Sequence, residues 1–382
     1  MQLIGNWAYP NTIRFGAGRI AELGEVCQSV GLKRPLFVTD KGLADLPITQ
    51  NALSLVEAAG LGRSVFSDVD PDPNEKNVRA GEQAYREGQH DGVIAFGGGS
   101  ALDLGKLLPF LAAQDSSNLW GYAQLADTPN TPNDKNIGPI VAIPTTAGTG
   151  SEVGRASVIS DSVAHQKRIF IHPSIVPSAV ICDPELTLSM PRAIAIGTGL
   201  DTFSHLVEAY SSQIYHPMSQ GIALEGMRLV AENLPNVIEN ENDIESRAHV
   251  MAAASMGAVA FSKGLGAVHA LSHAIGASHH THHGTTNAVL LPAVLQFNRP
   301  LIESVFERAA RYLDIRGGFD GFCEFVIAQN SLLGVPATLS ELGVRNANHD
   351  QLIKAALQDF TLYTNPRKMD AVSLRTILDA AM

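Results

Sequence analysis

The chain has little that would fix it covalently, hold it on a membrane or draw it to a polyanion. Its three cysteines, Cys27, Cys182 and Cys323, are widely separated and lie outside any C-x-x-C motif. An odd, scattered set argues against a disulfide framework and predicts buried free thiols in a reducing compartment. Charged residues make up 17% of the 382, and the net charge is −11 with no basic run. That excludes a general phosphate-backbone binder, so no nucleic-acid partner is expected. No apolar run reaches the roughly 18 to 20 residues of a membrane helix; the longest, Met251 to Phe261, is short and rich in Ala. The opening MQLIGNWAYP lacks the basic and apolar regions of a signal peptide. A cytoplasmic location with no membrane partner is the expectation.

What is present is a 45% apolar chain long enough for two domains, each with its own core. In the first half, short β-rich runs at Pro35–Asp40, Arg63–Ser67, Gly92–Phe96 and Ile140–Ile143 alternate with helical patterns near 18–30, 50–60, 75–89 and 100–113. Such alternation predicts a parallel sheet with helices on both faces. The Asn-, Asp- and Pro-rich stretch 114–138 reads as a long loop, and Ala156–Ser160 with Arg168–His172 reads as a hairpin packed on the sheet. After Met190-Pro191 the pattern is helical to the C-terminus. The predicted organisation is an α/β domain over 1–190 and an all-α domain over 191–382.

Four residues of the second half are spaced as ligands for one divalent metal: Asp201, His205, His269 and His283. Asp201 and His205 stand at i and i+4 of a helical segment, so they project from one face. His273 follows His269 by one turn, and His283 precedes Gly284, where a turn can aim its imidazole. One carboxylate and three imidazoles suit Fe(II), Zn(II) or Co(II) and not Mg or Ca, which prefer oxygen shells. Each segment also has a plainer reading, as a helical hydrogen bond or a solvated His-rich loop over His279, His280, His282 and His283.

Gly97-Gly98-Gly99-Ser100 follows the apolar strand GVIAF and opens the helix ALDLGKLL. Glycines admit a pyrophosphate close to the backbone, and a helix N-terminus offers free N–H groups. The spacing is not G-x-G-x-x-G, and an unliganded turn is the alternative. Asp103 and Lys106 continue that helix, as a first-turn dipole partner and a surface cation on the plain reading. The loop Thr145-Thr146-Ala147-Gly148-Thr149-Gly150 after the strand IVAI and Pro144 offers hydroxyls and N–H groups suited to phosphate, ribose or carboxamide. Asp40, ending PLFVTD, can accept from an adenosine ribose and repel a 2′-phosphate, or cap the next helix.

Seven stretches together resemble the iron-containing (group III) alcohol dehydrogenase family. They are VTDKGL (38–43), GGGSALDLGK (97–106), PTTAGTGSEV (144–153), DPELTLSMP (183–191), GTGLDTFSHLVEAY (197–210), GLGAVHALSHAIGA (264–277) and THHGTTNAVLLP (281–292). The resemblance implies a dinucleotide-binding N-terminal domain, a helical metal-binding C-terminal domain with a cleft between them, dehydroquinate-synthase-like architecture and a homodimer. It implies Fe2+ and NAD in preference to NADP; Zn2+ or Ni2+ can replace the iron in purified protein, because Fe(II) oxidises and binds less tightly than its later neighbours. By position it assigns Asp201, His205, His269 and His283 to the metal. It assigns Gly98, Gly99, Ser100, Asp103, Thr145, Thr146, Thr149, Lys167 and Asp40 to the cofactor. His273 and Asp103 fall beside the nicotinamide as catalytic candidates. The chain departs from the family at Gly154, where Thr is usual, at Pro71-Asp72-Pro73-Asn74, at Lys263 and at His282.

The reaction so implied is interconversion of a small alcohol and an aldehyde or ketone. The metal lowers the alcohol pKa, hydride passes to the nicotinamide, and His273 relays a proton or orients substrate; core packing is the alternative for His273. Lys263 and Phe261, a few residues before His269, are substrate candidates, with the ammonium suited to a distal carboxylate; a solvated helix-end Lys is the plainer reading. A dehydroquinate-synthase-like NAD- and metal-dependent lyase and a metal-dependent hydrolase remain as alternatives.

Overall fold

The computed structural model describes residues 11–164, 166–345 and 348–382; the segment 1–10, on which the signal-peptide expectation rests, lies outside them. Contacts divide the chain into two units, one ending at Thr146 and resuming over Gly150–Met190, the other made of Ala147–Thr149 with Pro191–Met382.

The first unit is built on a six-stranded sheet. Its strands are β1 (Thr12–Phe15), β2 (Leu36–Val38), β3 (Val65–Phe66), β4 (Val93–Gly97), β5 (Ile140–Pro144) and β8 (Ala179–Cys182). Every pairing is parallel, in the order β1-β8-β5-β4-β2-β3. Between the strands run α1 (Leu23–Ser29), α2 (Pro47–Ala58), α3 (Glu75–Glu87) and α4 (Gly99–Ala112). Side-chain alternation sorts the strands onto two cores. Phe37, Ile94, Phe96, Val141 and Ile143 meet α1 and α2, whereas Leu36, Val38, Val93, Ala95 and Ala142 meet α3 and α4. Burial on both faces is why these strands read as continuous apolar runs in the sequence.

The hairpin β6 (Ala156–Asp161) and β7 (Gln166–Ile171) is antiparallel and forms its own two-stranded sheet. It packs on α4 instead of on the main sheet. The expected loop 114–138 begins with a 3-10 helix, Ser116–Tyr122. Burial pushes the thiols of Cys27 and Cys323 up to about 12 and about 11, so both stay protonated and inert at neutral pH.

The second unit is helical. It comprises α5 (Arg192–Ser211), α6 (Pro217–Glu239), α7 (Ile244–Ala260), α8 (Ala267–His279), α9 (His283–Tyr312), α10 (Gly318–Leu332), α11 (His349–Leu357) and α12 (Ala371–Ala381). α5 packs against α6, α7 and α9, and α8 lies against α9 and α11. Among the described residues no single helix is long and apolar enough to cross a membrane.

Candidate metal centre and nucleotide turn

Three helices each supply one part of the candidate metal cluster. On α5, Asp201, His205 and Glu208 stand at i, i+4 and i+7 and share one face. On α8, His269 and His273 form an i, i+4 pair; on α9, His283 and Asn287 form another. His283 is the first residue of α9, with His282 as its N-cap, so a helix start and not a turn aims it.

The rings converge on one carboxylate oxygen. Oδ1 of Asp201 lies 3.7 Å from Nε2 of His205, 3.6 Å from Nε2 of His269 and 3.4 Å from Nε2 of His283. Asp201, His205 and His269 are buried, while the His283 side chain is 37% exposed, leaving it the ligand in reach of solvent. His205 stacks on His269 at 4.6 Å, and Phe261 covers its ring at 5.2 Å.

The partners of the outer ring nitrogens fix the tautomers. Glu208 takes His269 Nδ1 at 2.6 Å on Oε2 and the Val268 N–H at 2.8 Å on Oε1. A carboxylate only accepts, so Nδ1 of His269 carries the hydrogen and Nε2 keeps its lone pair for a metal. The Ser272 hydroxyl donates to the His283 carbonyl at 3.2 Å and lies 2.9 Å from His283 Nδ1, an arrangement that places a hydrogen on that nitrogen too.

The donor set fits a divalent ion. The Asn287 amide nitrogen sits among the ligands, 2.8 Å from Asp201 Oδ1 and 3.3 and 3.2 Å from Nε2 of His269 and His283. Its own Oδ1 is buried with no hydrogen-bond partner among the described residues. Converging lone pairs thus draw in the nearest donor, at the cost of an orphaned acceptor. The charges agree. Burial disfavours ionised Asp201, but His205, His283 and His269 hold its carboxyl well below the usual range. Burial pulls His205 down to about 4, so it is a neutral ligand. His269 is lowered by burial but raised more by Asp201 and Glu208, to about 9, so without a metal the cluster takes up a proton in its place.

Glu208 carries a testable consequence. Gln in its place has one acceptor and one donor end. With its oxygen on Val268, its NH2 meets Nδ1 of His269 and moves the ring hydrogen to Nε2; turned round, it faces the Val268 N–H with a donor. Glu208→Gln should raise the dissociation constant for Zn2+ by roughly 10- to 100-fold, read by competition with a chelator. An unchanged constant would remove Glu208 from the design of the site.

His273 is not part of this convergence. Its ring stacks on His283 at 5.2 Å, and its Nδ1 is 2.8 Å from Oδ2 of Asp359. His273 and Asp103 do not play like roles. Both carboxylate oxygens of Asp103 are occupied by the protein itself, by Ser151 Oγ at 2.5 Å and the Val158 N–H at 2.9 Å, with Lys106 at 3.3 Å. Asp103 therefore ties α4 to the hairpin. Lys106 is no surface cation but fully buried, donating to the carbonyls of Ser151 (2.9 Å) and Ala156 (2.5 Å).

Lys263 is a second correction. Its ammonium is buried and donates to the carbonyls of Ala209 (3.1 Å), Tyr210 (3.3 Å) and Ser212 (2.6 Å), which end α5. A helix C-terminus leaves carbonyls unpaired, and a buried cation there satisfies them. With three carbonyls on its three N–H groups, Lys263 has none left for a substrate carboxylate.

In the first unit, the nucleotide candidates gather at the C-terminal ends of β2, β4 and β5. The chain leaves β2 in one direction, to β3, and returns to its other side at β4, which makes the β2/β4 crevice the switch point where such sheets bind ligands. Gly97 has φ 147°, and a Cβ there would lie 2.8 Å from that of Ala101 and 3.4 Å from Oδ2 of Asp40. Gly98 opens α4 with no side-chain cap, leaving the first N–H groups of the helix for an anion. Asp40 accepts from the N–H of Gly42 (2.8 Å) and Leu43 (3.0 Å) through Oδ1. The Thr146 methyl faces Gly98, the Thr145 N–H donates to Gly97, and Ser100 Oγ donates to the Pro71 carbonyl at 2.5 Å. Lys167 is paired with Asp72. Thr149 belongs to the helical unit, and Thr202 of α5 donates to the carbonyls of Ala147 and Gly148 there.

Glu208, Ser272, Asn287 and Asp359 are absent from the sequence-based set. Glu208 and Asn287 had a signal, lying on the ligand faces at i+7 from Asp201 and i+4 from His283. Asp359 had none, since it is 86 residues from His273.

The first unit is a parallel α/β sheet with a switch point between β2 and β4, and the second brings one aspartate and three histidines together. Comparison with known proteins gives the family. Residues 10–184 match the model for iron-containing alcohol dehydrogenase, and 195–382 match that for the C-terminal part of the Fe-containing alcohol dehydrogenase family. The chain belongs to the iron-containing alcohol dehydrogenase family. It is 35% identical to the 4-hydroxybutyrate dehydrogenase of Cupriavidus necator over 98% of this chain and 99% of that one. Among solved structures it is similar to a 1,3-propanediol oxidoreductase (TM-score 0.93, 32% identity, 99% and 100% covered). It is also similar to the sulfoacetaldehyde reductase of Bifidobacterium kashiwanohense in complex with NAD+ (TM-score 0.90, 27% identity, 100% and 99% covered). An alcohol dehydrogenase activity follows from the family, in place of the lyase and hydrolase alternatives.

Proposed function

We propose that the protein is an Fe2+-dependent dehydrogenase that interconverts a small primary or secondary alcohol and its carbonyl product with NAD. The observation that carries this reading is the convergence of Nε2 of His205, His269 and His283 on one carboxylate oxygen of Asp201. Asp201, His205, His269 and His283 would hold the ion, and the N-terminus of α4 with Asp40, Thr145 and Thr146 would hold the cofactor. When bound, the ion supplies Lewis acidity to the substrate oxygen and the nicotinamide supplies the carbon that exchanges hydride.

The residues themselves do the rest. Asp201 leaves a divalent ion with one net positive charge, enough to favour an anionic oxygen beside it. Phe261 covers His205 and limits water at that side of the cluster. His273, held by Asp359, offers Nε2 to the substrate proton. The relative bound to NAD+ supports the cofactor assignment.

A panel of short alcohols and aldehydes assayed with NAD(H) and NADP(H) on Fe2+-reconstituted protein tests the reading, and turnover of none would sink it. Cofactor choice rests on Asp40. Wild type should favour NAD by roughly 10-fold or more, since a carboxylate against the 2′-phosphate of NADP costs about 1.4 kcal/mol per decade. Asp40→Gly should narrow that ratio. Better use of NADP by wild type would show that Asp40 serves only its turn.

A further inference from the structure

Asp359 divides its carboxylate between two tasks. Oδ1 accepts from the N–H of Thr361 at 2.8 Å and from its Oγ1 at 2.5 Å, capping the 3-10 helix Phe360–Thr364. Oδ2 faces Nδ1 of His273 at 2.8 Å. The cap by itself does not require a charge, because Asn caps a helix as well as Asp does. The second oxygen is what only a carboxylate provides. It can accept from Nδ1 and never donate to it, so the ring hydrogen must sit on Nδ1 and the lone pair on Nε2. The ring is held from a second direction as well, parallel to His283 with an interplanar angle of 16°, and it meets His269 edge-on at 6.1 Å.

We infer that Asp359 is a positioning residue for the reaction: with Thr361 behind it, it sets the tautomer and orientation of His273, so that Nε2 faces the substrate as a proton acceptor in alcohol oxidation and a donor in aldehyde reduction. This rests on the relay assigned to His273 in the proposed function. In oxidation the alcohol O–H bond would break and its proton pass to Nε2, the C–H electron pair leaving as the hydride that a bound nicotinamide would accept. In reduction both return. Without the carboxylate the imidazole is free to carry its hydrogen on Nε2, where it can neither accept the proton nor lie in the same register.

Asp359→Asn is the informative variant. Its amide oxygen keeps the Thr361 cap, while its NH2 meets Nδ1 of His273 and moves the ring hydrogen to Nε2. In metal-free, 15N-labelled protein, long-range 1H–15N spectra should show His273, assigned by its loss in His273→Asn, as the Nδ1–H tautomer in wild type and as Nε2–H in the variant. With metal and NAD restored, kcat should fall by roughly 100-fold, KM for NAD should stay within about 3-fold, and bound metal per chain should not change. Asp359→Glu, which retains a carboxylate, should recover the Nδ1–H tautomer and part of kcat. Wild-type turnover and an unchanged tautomer in Asp359→Asn, with His273→Asn impaired, would overturn the inference alone. Wild-type turnover in His273→Asn would overturn the relay and the inference together. Should Asp359→Asn unfold, Thr361→Val, which removes one donor to Asp359 and leaves the pair in place, should lower kcat by about 3- to 10-fold, and no loss there would count against the assignment.

Discussion

Replacing His269 with Ala should leave a chain whose first unit folds, which binds less than one divalent ion per chain and turns over roughly 1000-fold or more slowly, about 4 kcal/mol of lost catalysis. The size follows from the position of His269. Its Nε2 is 3.6 Å from the shared Asp201 oxygen, its Nδ1 is engaged by Glu208, and its ring stacks on His205. The variant removes a ligand, leaves one oxygen of Glu208 without its imidazole donor, and frees His205 to rotate. Metal analysis after Fe2+ reconstitution, together with the rate under saturating NAD, gives the result. Stoichiometric metal and wild-type turnover in His269→Ala would remove the cluster from the mechanism.

Gly284→Ala should be nearly as damaging although Gly284 binds nothing. A Cβ at this position would lie 1.9 Å from the carbonyl oxygen of Gly197 and 2.9 Å from Cβ of Asp201. Both belong to α5, so one methyl forces α9 away from α5 beside two ligands, His283 on one helix and Asp201 on the other. Overpacking against backbone, which cannot rotate aside, costs about 1–3 kcal/mol and sometimes more. The expected result is a melting temperature lower by several degrees and substoichiometric metal. A Gly284→Ala protein with wild-type melting and metal content would show that the two helices do not approach this closely.

Much of the sheet was legible because its strands are buried on both faces and stand out as apolar runs; β2, β4 and β5 fall within the expected segments to a residue or so. The edge strand β1 was not, since TIRF is half exposed and lacks such a run. β8, AVIC, is only four residues and lies between two 3-10 turns, so its pattern is too short to read. The hairpin was legible as a hairpin, but its packing on α4 depends on Asp103 and Lys106, whose roles no local pattern discloses. On the plain reading the lysine was a surface cation and the aspartate a first-turn dipole partner. Buried together, the lysine becomes a donor to two carbonyls and the aspartate a clamp.

The sequence by itself determined what depends on local period. Asp201 and His205 share a face because α-helices repeat every 3.6 residues, and Gly97 to Ser100 form a turn because a strand and a helix meet there. That was enough to name the metal candidates and the nucleotide turn. Tertiary structure decided what depends on meetings across the chain. The approach of α9 to α5 at Gly284 brings His283 to Asp201, Glu208 and Ser272 choose which nitrogen each imidazole presents, and Asp359 reaches His273 over a separation of 86 residues. It also turned Lys263 from a substrate candidate into the cap of α5, because carbonyls at a buried helix end have no water to bind and take the nearest cation.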